Sequence, residues 1–188
     1  MKKQLVETYH VPGATPVETY ERVCIADPAC VISAYEKIGN DVSLLQNRIT
    51  GSVLEREILI QPHSSTIPAL IRTFTDKDDF DCVQRTSYDF STHRGQLTTS
   101  MVNPSLRSKF QAECGISVRA KSPLTPNKVT YTQDAHVVSK IPFVGGLVEK
   151  AICSELVDRT ARIEGLNQAW LDKAVVEGDE EGRAATTS

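Results

Sequence analysis

Nowhere in these 188 residues does an apolar run approach the roughly 20 residues that a membrane-crossing helix needs. The N-terminal MKKQLVETYH carries two lysines but no hydrophobic stretch of signal-peptide length, so a soluble, cytoplasmic protein is the expectation. Cysteine is sparse in pattern: Cys24, Cys30, Cys82, Cys114 and Cys153 stand singly, with no CxxC pair and an odd total of 5. No Asn-x-Ser/Thr acceptor accompanies them, and reduced core thiols are expected rather than a disulfide framework. Basic excess is also missing, with 21 Lys and Arg against 24 Asp and Glu and a formal net charge of −3. That argues against nucleic-acid binding, which leaves a basic footprint. His10, His63, His93 and His136 are dispersed, none spaced with a second ligand as metal sites require, and no metal or cofactor is expected. GxSxG, P-loop and GxGxxG motifs are absent as well, so no catalytic residue is assigned.

What is present is the material of one α+β domain with a sizeable core, at 40% hydrophobic content. From Ile141 to Lys173 the residues Val144, Leu147, Val148, Ala151, Ile152, Leu156, Ile163, Leu166 and Trp170 recur at steps of three and four, the stripe of a long amphipathic helix. At about 1.5 Å per residue it reaches about 45 Å, and a helix that long needs a broad apolar surface to lie on. Ahead of it, Lys3–His10 alternates as a first strand. Thr15-Pro16 and Asp27-Pro28 then open two short helices, ended by Gly39-Asn40. From Asp41 to Ile141 the period changes to two, in segments near Asp41–Ile49, Ser52–Gln61, Phe80–Phe90, Gly95–Asn103, Arg107–Ser122 and Lys128–Ile141. Short connections make these a meander of antiparallel strands. The domain is expected over residues 1–175, with a disordered tail over 176–188 that contains EGDEEGRAATTS.

The order of strand, two short helices, six strands and long helix resembles the helix-grip fold of the START-like superfamily, which includes Bet v 1-like, polyketide cyclase and coenzyme Q-binding families. IPFVGGLVEKAI, followed by Gly165 and Ala169-Trp170-Leu171, resembles a bacterial START-like family of unknown function with a Pro-hydrophobic-Val-Gly-Gly-x-hydrophobic-Glu-Lys junction. The opening VETYHVPGATPVETYERVCIADP is similar to the superfamily's first strand and helix. The resemblance implies a curved antiparallel sheet of about seven strands gripping the C-terminal helix, with a cavity between them. It implies no chemistry, because one fold hosts many functions.

Alternation sets the inward positions. With Phe110, Cys114 and Val118 facing in, so do Leu54, Arg56, Ile58 and Ile60; Phe80, Cys82, Gln84, Thr86, Tyr88 and Phe90; and Val129, Tyr131, Gln133, Ala135 and Val137. Arg56, Gln84, Tyr88, Tyr131 and Gln133 are the polar exceptions, and Leu147 and Ala151 of the helix complete the candidate ligand site. Each polar group needs a partner from ligand, water or protein. Arg56 suits a carboxylate or phosphate, or pairs with Glu55, Glu57 or another strand. Gly145-Gly146 offers either amides for an anion or close packing of helix on sheet. Ile67–Phe74 reads either as a lid that also makes transient membrane contact or as simple closure of the sheet's open end. The function these features suggest is binding or transfer of a hydrophobic, lipid-like or isoprenoid-like molecule. The alternatives are a cyclase- or dehydratase-like enzyme using the same cavity, for which the tyrosines and, after a register change, His136 are inward candidates, and an interaction module with a packed interior.

Overall fold

In the first strand, β1 (Lys2–His10), period-two alternation buries Leu5, Glu7 and Tyr9 and leaves Val6 60% exposed. The structure, a computed structural model, describes residues 1–63, 80–140 and 145–186. On the C-terminal helix it describes no side chains at 151, 155–156, 158–161 and 175–186. After β1, Pro16 sits in the first turn of α1 (Pro16–Tyr20), which continues as a π-helical stretch, Glu21–Ala26. Asp27 caps α2 (Pro28–Lys37) by accepting from the Ala29 amide at 2.8 Å. The meander then runs through β2 (Asn40–Thr50), β3 (Val53–Pro62), β4 (Cys82–Asp89), β5 (Arg94–Met101), β6 (Phe110–Ser122) and β7 (Thr125–Ser139). One antiparallel sheet results, in the order β1-β7-β6-β5-β4-β3-β2.

Two details differ from the sequence reading. Between β5 and β6 the NPS segment opens a single helical turn, α3 (Pro104–Arg107), because Asn103 caps it through the Ser105 amide and hydroxyl, both at 2.8 Å. Strand β6 therefore begins at Phe110 rather than Arg107. Strand β7 begins at Thr125, inside the expected SPLTPN connection, since pairing of Ser122 with Thr125 closes the hairpin over Pro123 and Leu124.

The last helix, α4 (Gly145–Thr186), packs on β7, β1, α2 and the π-helical stretch. Its helical backbone extends beyond the start of the tail expected from residue 176, through a segment that contains no proline. Among the described residues no helix is apolar enough to cross a membrane. The core lies between the sheet's concave face and the helices, with Tyr9, Tyr20, Leu54, Tyr88, Val118, Val129 and Leu171 at most 1% exposed. Burying each large apolar side chain contributes roughly 1.5–3 kcal/mol.

Gly95 shows how tightly this face is packed. It pairs with Tyr88 across β4–β5, and a Cβ there would lie 2.5 Å from the Ser87 carbonyl oxygen and 2.7 Å from Tyr88 Cδ2. Gly95→Ala is expected to destabilise the protein by about 1–3 kcal/mol, read as a lower urea midpoint at unchanged slope.

Candidate functional site

Four groups of buried polar side chains interrupt the apolar interior, and strand alternation or helix phase places each of them. On β3, Arg56 lies between Leu54 and Ile58 on the inward face and is 5% exposed. Its Nη2 donates to the Ile25 and Ala26 carbonyls, both at 2.7 Å, and its Nε donates to Asn47 Oδ1 at 2.9 Å. Those carbonyls end the π-helical stretch, where backbone acceptors lack intrahelical partners and a cation suits the helix dipole. Glu57 pairs instead with Arg85 at 2.7 Å. The guanidinium thus joins β3 to a helix end within its own chain.

On β4, Gln84 and Tyr35 of α2 bond reciprocally, with Nε2 donating to the tyrosine hydroxyl at 2.8 Å and the hydroxyl to Oε1 at 3.1 Å. Further along β4, Tyr88 donates to Glu21 Oε1 at 2.5 Å, and His93 Nδ1 lies 2.8 Å from the same oxygen. Glu21 is 3% exposed, so this group fastens the π-helical stretch to the β4–β5 hairpin. Burial, then the Glu21 hydrogen bond and charge, hold the Tyr88 hydroxyl well above its ordinary range. Tyr88→Phe is expected to cost about 2 kcal/mol, because a buried carboxylate loses its charge-assisted donor; chemical denaturation measures it.

The fourth group lies between β1, β7 and α4. Glu7, buried on β1, accepts from the Tyr9 hydroxyl, which in turn accepts from Asn167 Nδ2 of α4 at 3.3 Å. Across the β1–β7 pairing Glu7 stands opposite Tyr131, whose hydroxyl accepts from Gln133 Nε2 at 2.7 Å. The rings of Tyr9 and Tyr20 are 4.9 Å apart and those of Tyr20 and Tyr131 5.9 Å apart, forming a contiguous aromatic wall. The Cys30 thiol lies 3.7 Å from Asn167 Oδ1. Burial pushes the Glu7 carboxyl up to about 7; the Tyr9 hydrogen bond opposes the rise and the charge of Glu164 adds to it. A carboxyl in that state can give or take a proton near neutrality.

Of the sequence-predicted site residues, Tyr131 and Gln133 therefore meet each other beside Glu7, while Arg56, Gln84 and Tyr88 find partners in three other places. Leu147 needs correction. It is 55% exposed, and Val148, at 5%, takes the buried position, because the helix begins at Gly145 with a phase that turns Leu147 off the stripe. The Ala151 side chain and the expected lid, Ile67–Phe74, lie outside the described residues. His136 is exposed, and the β6–β7 register is regular from Phe110 to Ala120, which removes it from the inward set. Glu7, Glu21 and Asn167 were missed by sequence reasoning; the signal for Glu7 was its place between Leu5 and Tyr9 on one face of an alternating strand.

Within the junction motif, Gly145 and Glu149 make structural contacts. A Cβ at Gly145 would lie 2.6 Å from the Ser139 carbonyl oxygen, and Glu149 Oε1 accepts from the Ser139 amide at 2.9 Å. Close approach and a carboxylate clamp thus bring α4 onto the end of β7.

This architecture recurs in solved structures. A protein from Thermus thermophilus superposes with a TM-score of 0.59 at 11% identity, covering 93% of this chain and 99% of its own. One from Chromobacterium violaceum gives 0.53 at 12% identity, covering 89% and 96%. Ara h 8.0201 gives 0.50 at 11% identity, covering 90% and 98%. At such identities the likeness shows the fold alone, a helix-grip arrangement of a curved antiparallel sheet and a long C-terminal helix. Comparison with curated proteins found no match. The family model that matches residues 8–171 covers nearly the whole domain, and the chain belongs to that family, described as "Protein of unknown function (DUF2505)".

Proposed function

We propose that the chain binds a mostly apolar, lipid-like or isoprenoid-like small molecule between the sheet and α4. The observation that carries this reading is that Glu7, Tyr9, Tyr131, Gln133 and Asn167, the largest of the four buried polar groups, gather at one place between β1, β7 and α4. A domain that only had to pack would be more stable with apolar side chains there, since each buried polar atom carries a desolvation penalty. A few convergent polar groups in an apolar surround suit a ligand with one polar end. Apolar burial, at roughly 25 cal/mol per Å², supplies the affinity, and the polar group fixes orientation. In this reading Arg56, Gln84 and Tyr88 hold the helices over the sheet, and Leu147 plays no part.

Native mass spectrometry of freshly purified protein, followed by solvent extraction, tests the reading. The expected result is a discrete bound mass that extracts into organic solvent. A clean unliganded mass together with no binding of an apolar fluorescent probe refutes it.

The raised Glu7 carboxyl beside the Tyr9 and Asn167 donors favours one second reading, an acid–base enzyme acting on the same ligand. It predicts that the extracted molecule is converted to a new mass by the protein and not by Glu7→Gln.

A further inference from the structure

The groups around Glu7 narrow the chemistry of that polar end. Among the described residues, those seen to interact electrostatically with Glu7 include Tyr9 on β1, Tyr20 on α1, Cys24 in the π-helical stretch, Tyr131 on β7 and Glu164 on α4, all neutral or acidic groups. Among the described residues no lysine, arginine or histidine forms an ion pair with Glu7. Arg56, a buried cation on β3, donates instead to the Ile25 and Ala26 carbonyls and to Asn47. Glu164 lies one helical turn before Asn167, which reaches Tyr9, which reaches Glu7, so both carboxyls border the same position. A carboxyl that is 6% exposed, with a second acid nearby and no cation paired with it among the described residues, is compensated either by a proton or by a positive charge from outside the chain. The tyrosine rings add a surface that attracts cations through their π faces.

We propose that the polar end of the bound molecule is a cationic nitrogen, a protonated amine or quaternary ammonium on an apolar body, held between Glu7 and Glu164 beside Asn167. This inference rests on the ligand-binding reading above and reverses the acidic ligand that Arg56 suggests in the sequence. The charge of the ligand takes the place of the proton on Glu7, so the ionised form of the buried acid is matched only when the site is filled.

Matched probes test it. Dodecylamine, dodecanol and dodecanoate, each below its micelle concentration, are titrated calorimetrically into the full chain at neutral pH after solvent stripping. The amine is expected to bind about tenfold or more tightly than the alcohol, with dodecanoate weakest. Glu7→Gln should bring amine and alcohol to within about twofold of each other. Glu164→Gln, on a half-exposed helix position, serves as the milder second variant and should lower the preference in part. Equal binding of amine and alcohol, or tightest binding of dodecanoate, overturns the cationic ligand while leaving the hydrophobic-binding reading intact. A preference for the amine that survives in both folded variants also overturns it. Binding of none of the three overturns both.

Discussion

Arg56→Ala is expected to lower the unfolding free energy by about 3 kcal/mol in ligand-stripped protein, one of the two largest effects of any single change considered. The substitution removes a cation that donates at 2.7 Å to two carbonyls and at 2.9 Å to an amide oxygen. Hydrogen bonds from a charged group are worth roughly 1.5–3 kcal/mol each, and their losses overlap because they share one side chain. The Ile25 and Ala26 carbonyls would be left without this donor at a helix end packed on the sheet. For a domain of this size about 3 kcal/mol corresponds to a fall in Tm of roughly 6–12 °C. Arg56→Lys should recover little, since a single ammonium cannot span both carbonyls and Asn47 as the planar fork does. The measurement is urea unfolding of both variants after solvent stripping. Stability equal to that of the natural chain would mean that the guanidinium does not hold the helix end, and would return it to the list of ligand contacts.

That result would also mark where alternation stops being informative. Strands β3, β4, β6 and β7 were legible because apolar and polar residues alternate over eight or more positions, and Leu54, Ile58, Tyr88, Cys114, Val118, Val129 and Val137 are buried as the pattern requires. Arg56 and Gln84 were placed inward by the same rule, and both are buried. What alternation cannot show is the partner, which comes from elements distant in sequence: Ile25 for Arg56, Tyr35 for Gln84, Glu21 for Tyr88. Glu7 and Glu21 were passed over because a glutamate on an amphipathic element usually lies in water, and only the tyrosines that meet them in three dimensions distinguish them. Leu147 failed for a local reason, since a stripe spanning several helix positions does not fix its own edges until the first helical residue is known. The clamp between Glu149 and the Ser139 amide depends on backbone direction that composition does not encode.

Glu7 is expected to make the protein less stable at pH 8 than at pH 5 by about 2.5 kcal/mol relative to Glu7→Gln, when both are free of ligand. Burial lifts its carboxyl from 4.5 to about 7 in the folded chain. A raised folded value means that the native state holds the proton more tightly than the unfolded chain does. The stabilising contribution is therefore fully present below about 4.5 and is lost as the pH rises through about 7. Glutamine keeps an oxygen that can accept from Tyr9 and has no charge to bury, so the variant should lack this dependence and should be the more stable of the two above neutrality. Glu149 and Asp89, whose carboxyls are held below their usual range by hydrogen bonds from Ser139 and Ser91, act in the opposite direction at acid pH. Their contribution cancels in the comparison of natural chain with variant. Thermal unfolding from pH 5 to pH 8 measures the difference, and parallel curves for the two proteins would show that Glu7 does not titrate in this window. Adding dodecylamine at pH 8 should then stabilise the natural chain more than Glu7→Gln, because a bound cation relieves the same buried charge that the proton relieves at pH 5.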